Sequence, residues 1–361
     1  MIKPNLFAST VALLFLFLVT PLKASEDAGV VSSSPSMSPS GAEVVFSSNV
    51  GGSTKLWIVA TAGQSLRALT TGLGVDDEPA WSPDGLTIAF TRRLNNAKDI
   101  WTIQRDGTQL RQLTSRTLNS FQSAWAPDSS RLAFVSDRAG TNDIWLMNAD
   151  GTNQTRATSL LSEESEPCFS PSGGEIAFSQ TISGGSSLSV VTLATGAVRV
   201  LTATGFHDWH PSWSAAGIIF SSDRLPTSAS GNKTIWIVQS DRTGLKQFST
   251  VMALDPSWTS SGKVVFTDEV NTGVAAAAIS LLNPTGGLAP TQLLPASFTG
   301  DLNGDGIIDL KDVAIIQRAL NTAANRPYDA RDRNNDGKID ALDVRLLTTQ
   351  CRYERCASSP P

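Results

Sequence analysis

Glu78-Pro79-Ala80-Trp81-Ser82-Pro83-Asp84-Gly85 is the stretch that decides the fold, because it recurs in degraded form along most of the chain. Its bulky position falls at Met37, Trp81, Trp125, Phe169, Trp213 and Trp258, at steps of 44 residues and a last step of 45. A second anchor follows at Phe46, Phe90, Phe134, Phe178, Phe220 and Phe266. A third lies at Trp57, Trp101, Trp145 and Trp236, with Leu188 in the fourth copy. Self-similarity at a fixed period of this size marks a stacked or closed repeat architecture. Eight of the nine tryptophans sit on these anchors, so most of the aromatic content reads as core rather than as ligand contact.

Within one copy the punctuation is that of short strands. Pro83-Asp84-Gly85 is a tight turn, with Pro presetting φ and Gly allowing a positive one. It separates an expected strand over Pro79–Ser82 from one over Leu86–Thr91. A third is expected over Asp99–Ile103, and the Asp106-Gly107 turn leads to a fourth over Leu110–Leu113. Four short strands per copy, with no long amphipathic helix, is the pattern of a propeller blade. The chain is therefore expected to be mainly β, with six blades closing a ring over residues 30–297.

The residues that carry this pattern resemble the repeats of TolB-type β-propellers. The resemblance rests on Asp76 through Gly85 followed by Ile88-Ala89-Phe90, on Ser136-Asp137-Arg138 and Ser222-Asp223-Arg224, and on Asp143-Ile144-Trp145. It implies the fold and leaves the activity open, since one such scaffold serves binding proteins, peptidases and lyases alike.

The first residues carry an address rather than a fold. Lys3, the apolar run Val11 to Val19 and the small residue closing Leu22-Lys23-Ala24 read as a signal peptide over residues 1–24. Pro21 and Lys23 cut the run short of the roughly 20 apolar residues a membrane span needs. A secreted or periplasmic protein without a transmembrane segment is the expectation. The net charge of −5 argues against a nucleic-acid partner, which requires a basic face. Of three cysteines, Cys351 and Cys356 are near enough to close a small loop. Cys168 aligns with Ser36, Ala80, Ala124, Ser212 and Ser257, all small, and is expected to be packed.

In propellers of this kind the residues that lead into the first strand of each blade tend to face the central channel. These are Asp76, Asp77, Glu78, Glu164, Glu166, Asp208, His210 and Asp255. Both histidines fall in Gly205-Phe206-His207-Asp208-Trp209-His210-Pro211, beside the one tryptophan outside the anchors. Asp76, Glu78, Glu166, His207, Asp208, Trp209, His210 and Asp255 form the candidate channel site, for a cation, a peptide tail or a carbohydrate. The competing reading makes the carboxylates solvated caps of the inter-blade turns. No nucleophile elbow or phosphate-cradling loop is present and no residue is assigned as catalytic.

After Pro295 the pattern changes. Asp301, Asn303, Asp305, Asp309 and Asp312 place oxygens at positions 1, 3, 5, 9 and 12 of a twelve-residue loop, with the Ile307 carbonyl at position 7 and Gly306 at the turn. Asp332, Asn334, Asp336, Lys338 (through its carbonyl), Asp340 and Asp343 repeat the arrangement 31 residues later. Four carboxylates crowded into each loop repel one another unless a cation is bound, so two calcium ions are expected. An amphipathic helix follows the first loop, with Val313, Ile316 and Leu320 on one face.

This duplicated loop-then-helix pattern over residues 299–350 resembles a dockerin type I module, with residues 351–361 as a tail. The resemblance implies a small α-helical calcium-binding domain whose halves pair through Ile308 and Ile339. It also implies contacts to a cohesin-type partner from Leu310, Lys311, Ala341 and Leu342. The combined expectation is an exported, non-catalytic interaction protein. The alternative is a carbohydrate-active enzyme, a polysaccharide lyase or glycoside hydrolase, with its site in the propeller channel.

Overall fold

The computed structural model describes residues 32–49, 53–61, 66–115, 118–224, 233–268, 278–282 and 290–294 of the repeat region, and 310–318, 320–323, 331, 338–339, 341 and 344 beyond it. The 1–24 leader, Ile308, Cys351 and Cys356 lie outside the described residues.

Six blades of four antiparallel strands follow one another along the chain, each blade formed by consecutive strands. Blade two is representative, with strands Val75–Trp81, Thr87–Leu94, Ala97–Gln104 and Arg111–Gln112. Its inner strand begins four residues before the expected Pro79, because Val75, Asp76 and Asp77 pair with Arg93, Arg92 and Thr91. Its outer strand is shorter than expected. Blades five and six share one long strand, Lys246–Trp258. Its start pairs with Thr234–Val238 as the edge of blade five, and its end pairs with Val264–Asp268 as the inner strand of blade six. Among the described residues the ring closes without strand exchange: the Ser34 amide donates to Asp255 Oδ2 at 3.1 Å and the Ser260 hydroxyl to the Pro39 carbonyl at 2.6 Å.

The core lies between blades. Val45, Leu56 and Ile58 of blade one pack on Trp81, Ile88 and Phe90 of blade two, and the later clusters likewise join neighbouring blades. Phe90, Phe134, Phe178, Phe220 and Phe266 are fully buried. Burial of such a side chain contributes roughly 1.5–3 kcal/mol. Second strands read as continuous apolar runs, such as Ile218-Ile219-Phe220, because both of their faces are covered by adjacent blades.

Polar groups repeat as regularly as apolar ones. The hydroxyls of Thr70, Thr114, Thr158 and Thr202, spaced by 44, accept from the amides of Leu56, Ile100, Ile144 and Leu188 at 2.9–3.0 Å. In the Ser-Asp-Arg steps Arg138 lies over Phe134 and Trp145, and Arg224 over Phe206 and Phe220. Arg92 takes the same place over Phe90 and Trp101.

Beyond the repeats, a helix spans Leu310–Arg318, and Thr322–Ala323 pairs antiparallel with Lys338–Ile339. Ile316 and Ile339 are fully buried.

Candidate functional site

Every inner strand is interrupted at one place. The register against its neighbour slips between Ser33 and Ser36, Asp77 and Ala80, Ser165 and Cys168, Trp209 and Ser212, and Leu254 and Ser257. Blade three slips at the same point, across Phe121 and Ala124. Each slip is a β-bulge whose first residue is left-handed: Ser34, Glu78, Gln122, Glu166, His210 and Asp255 all have φ between 50° and 56°. A non-glycine residue there is strained, and such strain collects at functional and clamping positions. Here the bulge breaks the two-residue alternation and brings the six residues around one cavity in the channel.

Sequence supports the bulge locally. Proline follows the left-handed residue in five copies, as Pro35, Pro79, Pro167, Pro211 and Pro256, and Ser123 takes that place in the third. Proline donates no hydrogen bond, so it tolerates a position where the strand ladder is interrupted.

The bulge leaves one amide per blade without a strand partner, and the preceding blade supplies an acceptor. The Gln122 amide donates to Glu78 Oε2 at 3.1 Å, the Glu166 amide to Gln122 Oε1 at 3.1 Å and the His210 amide to Glu166 Oε2 at 2.7 Å. The Asp255–Ser34 contact continues the series. The Glu78 amide turns instead to Asp77 Oδ1 at 2.8 Å. Four of the six ring positions, Glu78, Gln122, Glu166 and Asp255, are thus acidic or amide because each accepts a hydrogen bond from the next blade. Thr91, Ser179 and Thr267 donate to Glu78, Glu166 and Asp255 and hold these carboxylates in place.

His210 is the one cation in the ring. Its Nε2 lies 3.0 Å from Glu166 Oε1 and 3.1 Å from Asp255 Oδ1, so one imidazole staples blades four, five and six. Burial works against its charge, but Asp255, and after it Glu166, outweigh burial and raise its pKa to about 9. For Glu166 burial opposes ionisation and His210 overrides it, holding the carboxyl below its usual range. Glu78, across the channel from His210, is pushed up to about 7 by burial and then by Asp77.

The other sequence-predicted residues lie elsewhere. Asp76 is fully buried and receives Arg92 Nε at 2.5 Å and Nη2 at 2.8 Å, with Lys55 at 3.6 Å. Asp208, equally buried, pairs with Arg224 and accepts from Ser222 at 2.7 Å. Neither faces the channel, because the alternation inward from the bulge turns them into the blade. Glu164, at the same repeat position, has no arginine; burial raises its pKa, and its Oε1 has no hydrogen-bond partner. His207 and Trp209 form a separate surface cluster. Their rings stack at 5.0 Å, His207 Nδ1 lies 2.8 Å from Asp223 Oδ2 and Lys233 Nζ sits 4.8 Å from the Trp209 ring.

Ser34, Gln122, Ser123 and Cys168 also line the cavity and were not singled out from sequence as channel residues. Repeat position was the signal that could have found them, since Ser34 and Gln122 align with Glu78, Ser123 with Pro79 and Cys168 with Ala80 at steps of 44. Burial pushes the Cys168 thiol up to about 12, and the thiol accepts from the Trp213 amide as Ser36 and Ser212 accept from Trp81 and Trp258.

Of the expected calcium ligands, Asp301, Asn303, Asp305, Ile307, Asp309, Asp332, Asn334, Asp336, Asp340 and Asp343 lie outside the described residues, as does Leu342. Asp312, Leu310 and Lys311 are in the helix, Lys338 is in a strand, and Ala341 is exposed. The donor set is made of hard oxygens, the kind calcium takes.

A family model described as the TolB beta propeller domain matches residues 79–261, just over half of the chain. The model of the dockerin type I domain matches residues 299–350. Among solved structures, a protein described as TolB from Agrobacterium tumefaciens is 22% identical with a TM-score of 0.57, covering 64% of this chain and 87% of that one. TolB from Acinetobacter baumannii is 18% identical, TM-score 0.55, covering 72% and 62%. An oligogalacturonate lyase from Vibrio parahaemolyticus is 12% identical, TM-score 0.53, covering 76% and 82%. At these identities the likeness is one of fold. No curated protein matches the chain.

Proposed function

Because the chain belongs to the TolB beta-propeller family and carries a dockerin type I domain at residues 299–350, we propose that it is an exported, non-catalytic interaction protein. The propeller is its binding body, and the C-terminal module docks it to a cohesin-type partner in calcium. The observation that carries this reading is the dockerin match over two loops rich in hard oxygen donors. Dockerin type I domains bind calcium. In this chain Asp301, Asn303, Asp305, Ile307, Asp309 and Asp312 would hold one ion. Asp332, Asn334, Asp336, Lys338, Asp340 and Asp343 would hold a second. Calcium there supplies the positive charge that lets four carboxylates share a loop, which orders the segment that presents Leu310, Lys311, Ala341 and Leu342.

Two features of the propeller support binding over chemistry. The channel carboxylates Glu166 and Asp255 are both engaged by His210, and Asp76 and Asp208 are both neutralised by arginine. At three blade-to-blade connections Leu73, Leu118 and Leu161 are exposed, Leu161 fully, apolar surface available to a partner.

Capture of the full chain on an immobilised type I cohesin domain, with calcium and with a chelator, tests the proposal. Retention in calcium that is lost with chelator, and lost in Asp301→Ala/Asp332→Ala, is expected. Capture indifferent to calcium, or oligosaccharide cleavage by the purified chain, overturns it.

A further inference from the structure

We propose that Glu164 is a proton-operated latch between blades three and four. As the neutral acid it holds the connection from Ser159 to Glu163 against the blades, and loss of its proton to solvent releases that connection. The latch belongs to the propeller alone and is independent of cohesin docking.

The internal repeat shows what this position ordinarily has around it. Asp76, two copies earlier, is answered by Arg92, opposite it in the strand pairing, and by Lys55 from the third strand of the preceding blade. Asp208, one copy later, is answered by Arg224. Two steps of 44 carry Arg92 to Gln180 and Lys55 to Asp143. Gln180 lies opposite Glu164 in the pairing, and its amide group is engaged by Ser162 and Ser189. At this seam, therefore, one cation of the repeat has become neutral and the other has become a carboxylate.

The second observation is the bonding of the carboxyl itself. Glu164 is fully buried, and both hydrogen bonds it receives, from the Ile144 amide at 3.1 Å and from the Thr158 hydroxyl, fall on Oε2. Oε1 is buried with no hydrogen-bond partner. An ionised oxygen stranded in this way costs far more than a protonated one. Charge counting agrees. Asp143 and Glu164 are both fully buried, and Arg156, bonded to Asp143 at 2.7 Å, answers the first of them. A proton balances the second. The charged groups around Glu164 are thus Asp143 and Arg156 of blade three and Glu163 beside it on the connection, while blade four contributes the neutral Gln180.

The bond from Thr158 shows what is latched. In blade two the equivalent hydroxyl, that of Thr114, donates to Asp99 of its own blade at 2.9 Å, whereas Thr158 donates to Glu164 of the next blade. Between these two bonded residues runs the connection, with Leu160 packed on the core shared by blades three and four and Leu161 fully exposed. An ionised Glu164 faces Asp143 without the cations that the repeat supplies elsewhere. Its nearest relief is solvent, which the connection meets at Ser159, Leu161 and Glu163. Release carries Leu161 with it and changes the apolar surface that this seam presents.

Burial raises the Glu164 carboxyl above its ordinary 4.5 and Asp143 adds to the rise, against the bonds from Thr158, Ile144 and Leu160. With the folded value above the unfolded one, the latch stabilises the seam fully below pH 4.5 and fades as pH rises through the folded value.

The test is hydrogen exchange of the full chain read by mass spectrometry from pH 5 to pH 9, with rates corrected for intrinsic exchange. Protection of residues 157–165 should fall several-fold with rising pH in wild type. It should stay level in Glu164→Gln, which keeps an acceptor for Thr158 and Ile144 without the charge, and fall less in Asp143→Asn. His210→Gln should leave the fall in place, since that imidazole joins blades four to six. A carbon-13 titration of the glutamate carboxyls should show a raised midpoint that Glu164→Gln removes. Level protection in wild type, an equal fall in Glu164→Gln, a fall abolished by His210→Gln, or no raised midpoint assignable to Glu164 overturns the proposal.

Discussion

Replacement of His210 tests the ring most directly, because its charge bridges two carboxylates and therefore three blades. The pKa of the imidazole rises from 6.5 to about 9 on folding. At 1.36 kcal/mol per pH unit that difference corresponds to about 3 kcal/mol of stabilisation. With 37% of the side chain facing the channel water, screening reduces this to on the order of 1–2 kcal/mol. The sign follows from the direction: the folded value lies above the unfolded one, so the stabilisation is complete below pH 6.5 and fades as pH rises through 9. Glu78 contributes a slope of the same sign, but that slope is spent by about pH 8, since its own value is about 7.

His210→Gln is the variant of choice, since Gln122 shows that the ring accommodates glutamine in the left-handed position. Urea unfolding followed by tryptophan emission should show wild type losing about 0.5–1 kcal/mol between pH 7.5 and 9.5, roughly half of the full linkage. His210→Gln should be less stable at pH 7 by a similar amount and nearly flat over that window. Equal slopes in the two proteins refute the bridge, and so does an imidazole NMR titration with a midpoint near 6.5.

The other expectations concern packing, the buried ion pair, calcium and the thiol. Phe134→Ala empties a fully buried site between blades and should cost about 3–5 kcal/mol in urea unfolding; a loss below about 1 would contradict inter-blade packing. Arg92→Met leaves the buried Asp76 charge with only Lys55 at 3.6 Å and should cost about 2–4 kcal/mol, whereas Arg92→Met with Asp76→Leu should recover part of it, and equal losses would contradict the pairing. All nine tryptophans fall from Trp57 to Trp258, so chelating calcium should shift a separate calorimetric transition while the tryptophan-detected midpoint stays in place. Cys168→Ser should change stability by less than about 1 kcal/mol, since serine accepts the next blade's amide at Ser36 and Ser212, whereas Cys168→Val loses that acceptor and should cost more.

The blades were legible because the core repeats: aromatic anchors spaced by 44 survive any local ambiguity about where a strand starts. Strand ends were less so. The inner strand of blade two reaches back to Val75 because its pairing with Arg93 is set by the neighbouring strand, not by local turn residues. At the site, strict alternation would put Asp76 and Glu78 on one face, and Asp208 and His210 likewise. The bulge between them separates each pair, sending one carboxylate to an arginine inside the blade and the other residue into the channel. Proline inside a strand was its visible trace, at five of six equivalent places. Nothing in the spacing of His207 and His210 showed that they part, because that too depends on the bulge.

Six copies of one blade in a single chain act as a comparison in which the fold's demands are held constant. A residue type shared by the copies answers to the fold. The ring acceptors at Glu78, Gln122, Glu166 and Asp255 are of this kind, and their acidity is explained by the amide each receives before any ligand is considered. What departs from the repeat is left for function to explain. His210 is the one cation in the ring, and Ser123 is the one residue in the proline row with a polar side chain. Glu78 differs from its fellow carboxylates in a third way, accepting the ring's hydrogen bond without an ion pair among the described residues. These three departures converge on one cavity rather than scattering over six blades. That convergence, more than the acidity of the channel, is what sets the cavity apart from the repeat.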